Sequence, residues 1–72
     1  MNQTEVILEH MRRYGSITPA EAYDSYGIMR LGARIWDLKH DGVGIIAERE
    51  DGLNRLGKRC HWNKYSLRRD RI

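Results

Sequence analysis

Two groups of basic side chains are the best candidates for binding chemistry in this sequence. Arg30 and Arg34 lie four residues apart in an amphipathic stretch, and Arg55, Lys58 and Arg59 lie close together near turn-forming residues. Each guanidinium or ammonium group can neutralise an anion, and the forked donors of arginine can also meet two acceptors on one planar partner. These residue types predict two cationic surfaces, one on a helix and one on a loop.

Basic residues are concentrated towards the end of the sequence. Residues 53–72 carry seven Lys and Arg side chains against one acidic residue, whereas residues 1–52 carry six basic and nine acidic residues. This distribution is typical of a surface that meets a polyanion, because each neutralised phosphate releases condensed counterions. A solvated charged tail is the alternative interpretation.

The length and composition favour one small binding domain. With 72 residues, 40% hydrophobic and 32% charged, the chain can bury a single core but has no second lobe to close over a substrate. Cys60 is the only cysteine, so no intramolecular disulfide can form, and a reducing compartment is expected. The sequence has neither a signal-peptide pattern nor an apolar run of membrane-spanning length. We therefore expect a cytoplasmic protein with no membrane partner.

The first two helices are predicted from their capping residues. Asn2 stands three residues before Glu5, which is capping-box spacing and predicts a helix over residues 3–14. A threonine followed by proline is a second helix start, and it predicts a helix over residues 19–26. The extended residues 16 and 17 between them are too few for more than an isolated bridge.

A third helix is predicted from Ile28 to Asp41, joined to the second by a tight turn at Gly27. Its core stripe is formed by Leu31, Ile35 and Leu38. The opposite side carries Met29, Ala33, Trp36 and His40, with Arg30 and Asp37 beside them and Arg34 nearer the flank.

After residue 43 the pattern changes to the alternation typical of β-strands. Residues 44–49 and 59–65 are the predicted strands of a hairpin, and residues 50–52 and 54–57 are turn-forming. The loop is expected to protrude. Alternation leaves open which face of the second strand points inward, because Trp62 lies on one face and Tyr65 on the other.

The order of these elements predicts an α+β fold, a winged helix-turn-helix in which three helices are followed by a β-hairpin wing. The domain is expected to cover residues 1–67, with a basic tail at residues 68–72. In such a domain the third helix enters the major groove of duplex DNA, and the wing lies along the backbone or the neighbouring minor groove.

Each candidate residue has a predicted role. Arg30 is the first candidate for a contact to guanine O6 and N7, and Arg34 is the second, with an ion pair to Asp37 as its alternative. The loop cations are expected to bind phosphates, or to form only a solvated loop that discourages edge-to-edge association. The predicted DNA-binding residues are Met29, Arg30, Ala33, Arg34, Asp37, Arg55, Lys58 and Arg59.

A family resemblance covers most of the chain, from the first helix to Leu67. The residues that carry it are the stretch Gly15-Ser16-Ile17-Thr18-Pro19-x-Glu21-Ala22, then Tyr26-Gly27-x-x-Arg30-Leu31-x-Ala33-Arg34-Ile35-x-Asp37-Leu38, and later Gly57-Lys58-Arg59 to Tyr65-x-Leu67. This pattern resembles small phage and prophage helix-turn-helix proteins. The resemblance implies a winged-helix DNA-binding fold in a phage or in a bacterium that carries one. The acidic stretch 48–51 departs from a uniformly basic wing.

Catalysis and cofactor binding have little support in the sequence. His10, His40 and His61 fall in three different elements, and none has a carboxylate or nucleophile at triad spacing. Cys60 and His61 are adjacent on a predicted strand and so face opposite sides, and no second ligand pair follows. We expect no enzyme activity, no cofactor and no metal.

Two functions from different classes remain. The first is sequence-specific binding of double-stranded DNA by a phage or prophage transcriptional regulator, or by a recombination accessory factor. The second is a winged-helix module that binds a host or phage protein, because Met29 and Trp36 suit a protein groove better than base edges. Structured RNA is disfavoured because the aromatic residues do not form an exposed stacking sheet. A homodimer is one alternative, because the sequence does not determine the oligomeric state.

Overall fold

The predicted α+β winged helix-turn-helix fold is confirmed. A computed structural model describes residues 2–68. The elements follow in the order α1 (Gln3–Tyr14), β1 (Ser16–Ile17), α2 (Pro19–Tyr26), α3 (Leu31–His40), β2 (Ile45–Leu53) and β3 (Arg59–Leu67).

Local capping fixes the ends of α1 and α2 where the sequence predicts them. The side chain of Asn2 accepts a hydrogen bond from the Glu5 amide at 2.9 Å. At the start of α2, the Thr18 hydroxyl accepts from the Glu21 amide while the Glu21 carboxylate accepts from the Thr18 amide, a complete capping box. Gly15 and Gly27 end the two helices with left-handed backbone angles.

The predicted start of α3 at Ile28 is wrong, because the helix begins three residues later at Leu31. The Ile28 amide donates to the Ala22 carbonyl at 3.1 Å, which closes the end of α2, and the Ile28 side chain is buried in the core. Arg30 has φ −123° and ψ 62°, outside the helical region, and its carbonyl accepts the first helical hydrogen bonds. The turn therefore includes Met29 and Arg30, and only the later residues lie on the helix.

The strand β1 is more than the isolated bridge expected. It pairs antiparallel with β3, with Ser16 opposite Ser66 and Ile17 opposite Tyr65, and gives a three-stranded sheet in the order β1-β3-β2. Ile17 is fully buried, so this short pairing ties the helix-turn-helix unit to the base of the wing.

The hairpin strands are longer than predicted, and the turn expected at residues 50–52 is wrong. These residues continue β2, with Glu50 opposite Trp62 and Gly52 opposite Cys60. The indole of Trp62 donates to the Glu50 carboxylate at 2.8 Å. The strand accommodates glycine at position 52 because the Trp62 ring lies over Gly52 and fills the space that a side chain there would take.

The core lies between the helices and the base of the sheet. Its fully or nearly buried side chains are Ile7, Met11, Ile17, Ala22, Ile28, Leu31, Ile35 and Leu38. Tyr65 and Leu67 pack against it, so the Tyr65 face of β3 points inward at the base of the sheet. The Trp62 face is half-buried, and with Thr18 and Glu21 it lines a surface cleft beside the start of α2.

The wing extends well beyond this core. Six further residue pairs follow the Ala47–Tyr65 pair along the hairpin, which corresponds to about 20 Å of paired strand at ~3.3 Å per residue. The long axis of the described chain measures 43 Å. Within residues 2–68 no helix is long and apolar enough to cross a bilayer. Of the predicted basic tail, residues 69–72 lie outside the described part of the chain.

Candidate nucleic-acid interface

The side of α3 opposite the core is open to solvent. Leu31, Ile35 and Leu38 are each at most 5% exposed and hold the helix against α1. The opposite side carries Trp36, which is 59% exposed, the exposed His40 and the half-exposed Ala33. The predicted inward and outward sides of α3 are therefore those of the structure, and this outer side is available to a partner.

Arg30 occupies the N-cap position of α3 and makes no side-chain capping hydrogen bond. Its guanidinium has no ion-pair or hydrogen-bond partner within residues 2–68, and the residue is exposed. The first residues of a recognition helix are those that reach base edges in helix-turn-helix proteins. The corrected helix start therefore moves Arg30 to the end of α3 that suits base contact.

Arg34 forms the ion pair given as its alternative role. Its Nη2 lies 3.2 Å from Oδ2 of Asp37, three residues along the same helix, and both side chains are about two-fifths exposed. The Arg34 Nε is buried without a hydrogen-bond partner in the described residues. An arginine held in this way has fewer donors to offer a base than Arg30 has.

An aromatic pair occupies the middle and end of α3. The rings of Trp36 and His40 lie with centroids 3.6 Å apart and planes tilted by 32°. Met29, in the turn before the helix, is 81% exposed. The spacing of four residues between Trp36 and His40 was visible in the sequence, but their stacking was not predicted.

The wing loop is a short, hydrogen-bonded turn of residues 54–58. The Asn54 side chain accepts hydrogen bonds from the amides of Leu56 at 2.9 Å and Lys58 at 3.1 Å. The Gly57 amide donates to the Asn54 carbonyl at 2.9 Å, and Gly57 has φ 76°, which favours glycine. Arg59, grouped with the loop cations in the sequence, is the first residue of β3, where the predicted strand 59–65 also begins.

The cations at the tip are free to bind a partner. Arg55, Lys58 and Arg59 are exposed, and their side chains have no ion-pair or hydrogen-bond partner within the described chain. Unpaired cations on one small surface raise the positive potential there and favour an anionic ligand.

The acidic stretch of β2 lies along the hairpin stem and is largely paired. Glu50 accepts a hydrogen bond from Trp62 and lies 3.4 Å from Lys64 Nζ. Asp51 lies 3.2 Å from Arg49 Nε. These pairs neutralise most of the negative charge of the stem, so the stem does not cancel the positive charge of the tip.

Two residues of the tip were missed by sequence reasoning. Leu53 is 69% exposed and Leu56 is 81% exposed, although both are large and apolar. The sequence feature that could have revealed them is a leucine beside basic residues in a predicted turn, where polar residues are usual.

The three histidines lie in three different elements of the structure. His10 is buried in α1 with its Nδ1 2.7 Å from the Tyr26 hydroxyl, while His61 lies exposed on the wing. Cys60 is a free, half-buried thiol. In residues 2–68 no three His, Cys, Asp or Glu side chains are grouped so that they could hold a metal ion.

The helix-turn-helix unit, the open side of α3 and the three-stranded wing sheet define a winged helix-turn-helix domain. A family model described as "Winged helix-turn-helix domain" matches residues 2–70, and the chain belongs to this family. This membership indicates DNA binding. No curated protein and no solved structure matches the chain. The resemblance stated from the sequence is confirmed at the level of this family, and the phage or prophage origin stays a prediction.

Proposed function

We propose that this protein binds double-stranded DNA with sequence preference and does not act as an enzyme. The observation that carries the proposal is a set of cations with no partner among residues 2–68, at two places where winged-helix domains meet DNA. They are Arg30 at the start of α3 and Arg55, Lys58 and Arg59 at the wing tip.

Arg30 reads bases in this proposal. Its fork of donors fits guanine O6 and N7 in the major groove, and its guanidinium is not engaged by a carboxylate of the described chain. Ala33 lets the helix approach the groove closely, while Met29 adds apolar contact at the turn. Arg34 and Asp37 act as a pair that positions the helix flank, since the two side chains already bind each other.

The wing cations bind phosphates. Arg55, Lys58 and Arg59 fix the position of the domain on the duplex without reading sequence. Contacts of this kind supply much of the affinity and make it salt-dependent.

The biological role we propose is transcriptional control, or assistance to recombination, in a phage or prophage. The resemblance of residues 15–38 to small phage helix-turn-helix proteins supports this role. A duplex DNA ligand agrees with a cytoplasmic location, and the protein needs neither a cofactor nor a metal for this activity. A palindromic selected site would support a homodimer, because half-site symmetry mirrors protein symmetry.

Binding-site selection from random duplexes, followed by titration of the selected duplex, tests this function. Arg30→Glu is expected to abolish preference for the selected site, whereas Lys58→Glu is expected to weaken binding to all duplexes alike. Arg12→Glu is the matched control, because Arg12 is an exposed cation of α1 outside both surfaces. Equal binding by the wild type and the Arg30 and Lys58 variants would reject the assigned surfaces.

A protein-binding function is the second candidate, and Trp36 is the observation that favours it. An exposed tryptophan stacked on His40, with Met29 also exposed, is the kind of aromatic and apolar surface that anchors protein interfaces. Affinity capture from a host lysate, with and without nuclease, separates the two functions. A partner that survives nuclease treatment and is lost in Trp36→Ala supports protein binding, and a partner lost with nuclease supports DNA.

A further inference from the structure

The wing tip combines two exposed leucines with unpartnered cations. Leu56 is 81% exposed at the turn, and Leu53 is 69% exposed at the end of β2, opposite Arg59 in the strand register. Neither leucine belongs to the core cluster or packs against it. Their exposure at the end of a stem about 20 Å long means that they contribute little to folding and are presented to a partner.

The backbone of the tip is closed by its own hydrogen bonds. Asn54 holds the amides of Leu56 and Lys58 through its side chain, and its own amide donates to the Lys58 carbonyl at 2.9 Å. Because this turn is fixed, the Leu56 side chain can enter a narrow site with a small loss of backbone entropy.

The charges around the leucines identify the chemistry of the partner. Arg55, Lys58 and Arg59 are exposed and have no partner within the described residues. A partner that fits this tip offers apolar surface beside anionic groups. The minor groove of DNA does this, since phosphates line both edges and a base step can open to admit an apolar wedge.

We propose that Leu56 inserts between base pairs in the minor groove and that this wedge bends the DNA, with Leu53 supporting it. The inference rests on the proposed DNA binding and adds to it the insertion of a wing side chain into the duplex. Arg55, Lys58 and Arg59 hold the phosphates on either side of the opened step. Flexible pyrimidine–purine steps are the preferred sites, because they unstack at the lowest cost.

The test uses the full chain and a duplex of about 30 base pairs that contains a central run of TA steps. Fluorophores at the two ends report bending through energy transfer, and 2-aminopurine at the central step reports unstacking. Wild-type protein is expected to shorten the end-to-end distance and to raise the 2-aminopurine fluorescence. Anisotropy of the same duplex measures binding separately.

Leu56→Ser is the decisive variant. It is expected to bind the duplex with a dissociation constant raised by at most about tenfold, because burial of the wedge and unstacking of the bases oppose each other. Its bending and 2-aminopurine signals are expected to disappear. Leu56→Phe is the matched control and keeps both signals, since phenylalanine also acts as a wedge. Circular dichroism is expected to show the same melting temperature for all three proteins, because the side chain is exposed.

The outcomes separate this inference from the function on which it rests. Binding without bending by the wild type, or equal bending by Leu56→Ser, overturns the wedge but leaves DNA binding intact. Absence of any salt-sensitive duplex binding overturns both. Binding of the wild type to vesicles of phosphatidylserine and phosphatidylcholine that depends on Leu56, without bending of the duplex, would assign the tip to a membrane and overturn the inference.

Discussion

At the scale of single residues, the wing stem depends on one contact between a glycine and an aromatic ring. A Cβ atom added at Gly52 would lie 2.6 Å from Cη2 of Trp62, well inside van der Waals contact. The Trp62 ring is also fixed by its hydrogen bond to Glu50. The ring therefore cannot move away without loss of that bond.

We predict that Gly52→Ala lowers the free energy of unfolding by about 1–3 kcal/mol, as overpacking does elsewhere in proteins. Urea denaturation followed by circular dichroism measures the change. Gly32→Ala is the control, because nothing lies within 4 Å of the added Cβ and the residue is inside α3. The control is expected to be neutral or to stabilise by up to ~1 kcal/mol. An equal effect of the two substitutions would show that the Trp62 contact does not constrain position 52.

Arg30, which precedes α3, and Arg34, which lies within it, differ in whether a neighbouring carboxylate binds the guanidinium. Arg34 and Asp37 are three residues apart on a helix and bind each other, whereas Arg30 precedes the helix and has no partner among the described residues. The sequence favours Arg30 over Arg34 as a base-reading candidate, with the ion pair to Asp37 as the alternative role of Arg34. The difference between them comes from the helix start, and it makes Arg30 the stronger candidate.

At the scale of elements, the position of α2 depends on the capping residues at its N-terminus. Thr18 lies between β1 and α2 and caps the helix, so it joins the pairing of β1 with β3 to the helix-turn-helix unit. Only one residue separates the strand from the helix. Loss of the cap should therefore affect the orientation of α2 as well as its first turn.

We predict that Thr18→Ala destabilises the domain by about 1 kcal/mol, the usual cost of losing an N-cap side chain. For a domain of this size the melting temperature should fall by about 4–8 °C. Ser25→Ala is the control, since Ser25 is exposed near the end of α2 and its side chain has no hydrogen-bond partner in residues 2–68. A loss of the same size in both variants would rule out the capping box as the source of the stability.

At the scale of the whole molecule, charge is divided between the base and the tip of the wing. Ion pairs along the stem neutralise Glu50 and Asp51, and the tip cations, unpaired within the described part of the chain, lie about 20 Å beyond the core. A modest net charge of +3 therefore coexists with a concentrated cationic tip. This arrangement directs the approach of a polyanion to the wing and not to the molecule as a whole.

We predict that the affinity for duplex DNA falls steeply with salt, with a slope of log affinity against log salt of roughly −4 to −5 for four to six phosphate contacts. Lys58→Ala is expected to reduce the steepness by about 1, because it removes one phosphate contact. Arg12→Ala should leave the slope unchanged. Fluorescence anisotropy across a salt series measures the slope, and a flat dependence would contradict phosphate binding by the wing.

Local sequence patterns were enough to predict α1, α2, the core stripe of α3 and the presence of a hairpin. Helix caps and stops depend on residues three or four positions apart, and a hydrophobic stripe depends on the spacing of residues within one helix. Both can therefore be recognised from the local sequence. The Thr18–Glu21 capping box and the buried stripe of Leu31, Ile35 and Leu38 are as the sequence predicts.

The start of α3, the pairing of β1 and the length of the wing depend on the packed fold. Ile28 is buried in the core and lies before the helix. Ser16 pairs with Ser66 of β3. Gly52 lies in β2 under the Trp62 ring. Each of these depends on contacts that a local pattern does not specify, in one case between residues fifty positions apart in the chain. For the same reason the exposure of Leu56 became evident only from the packed fold.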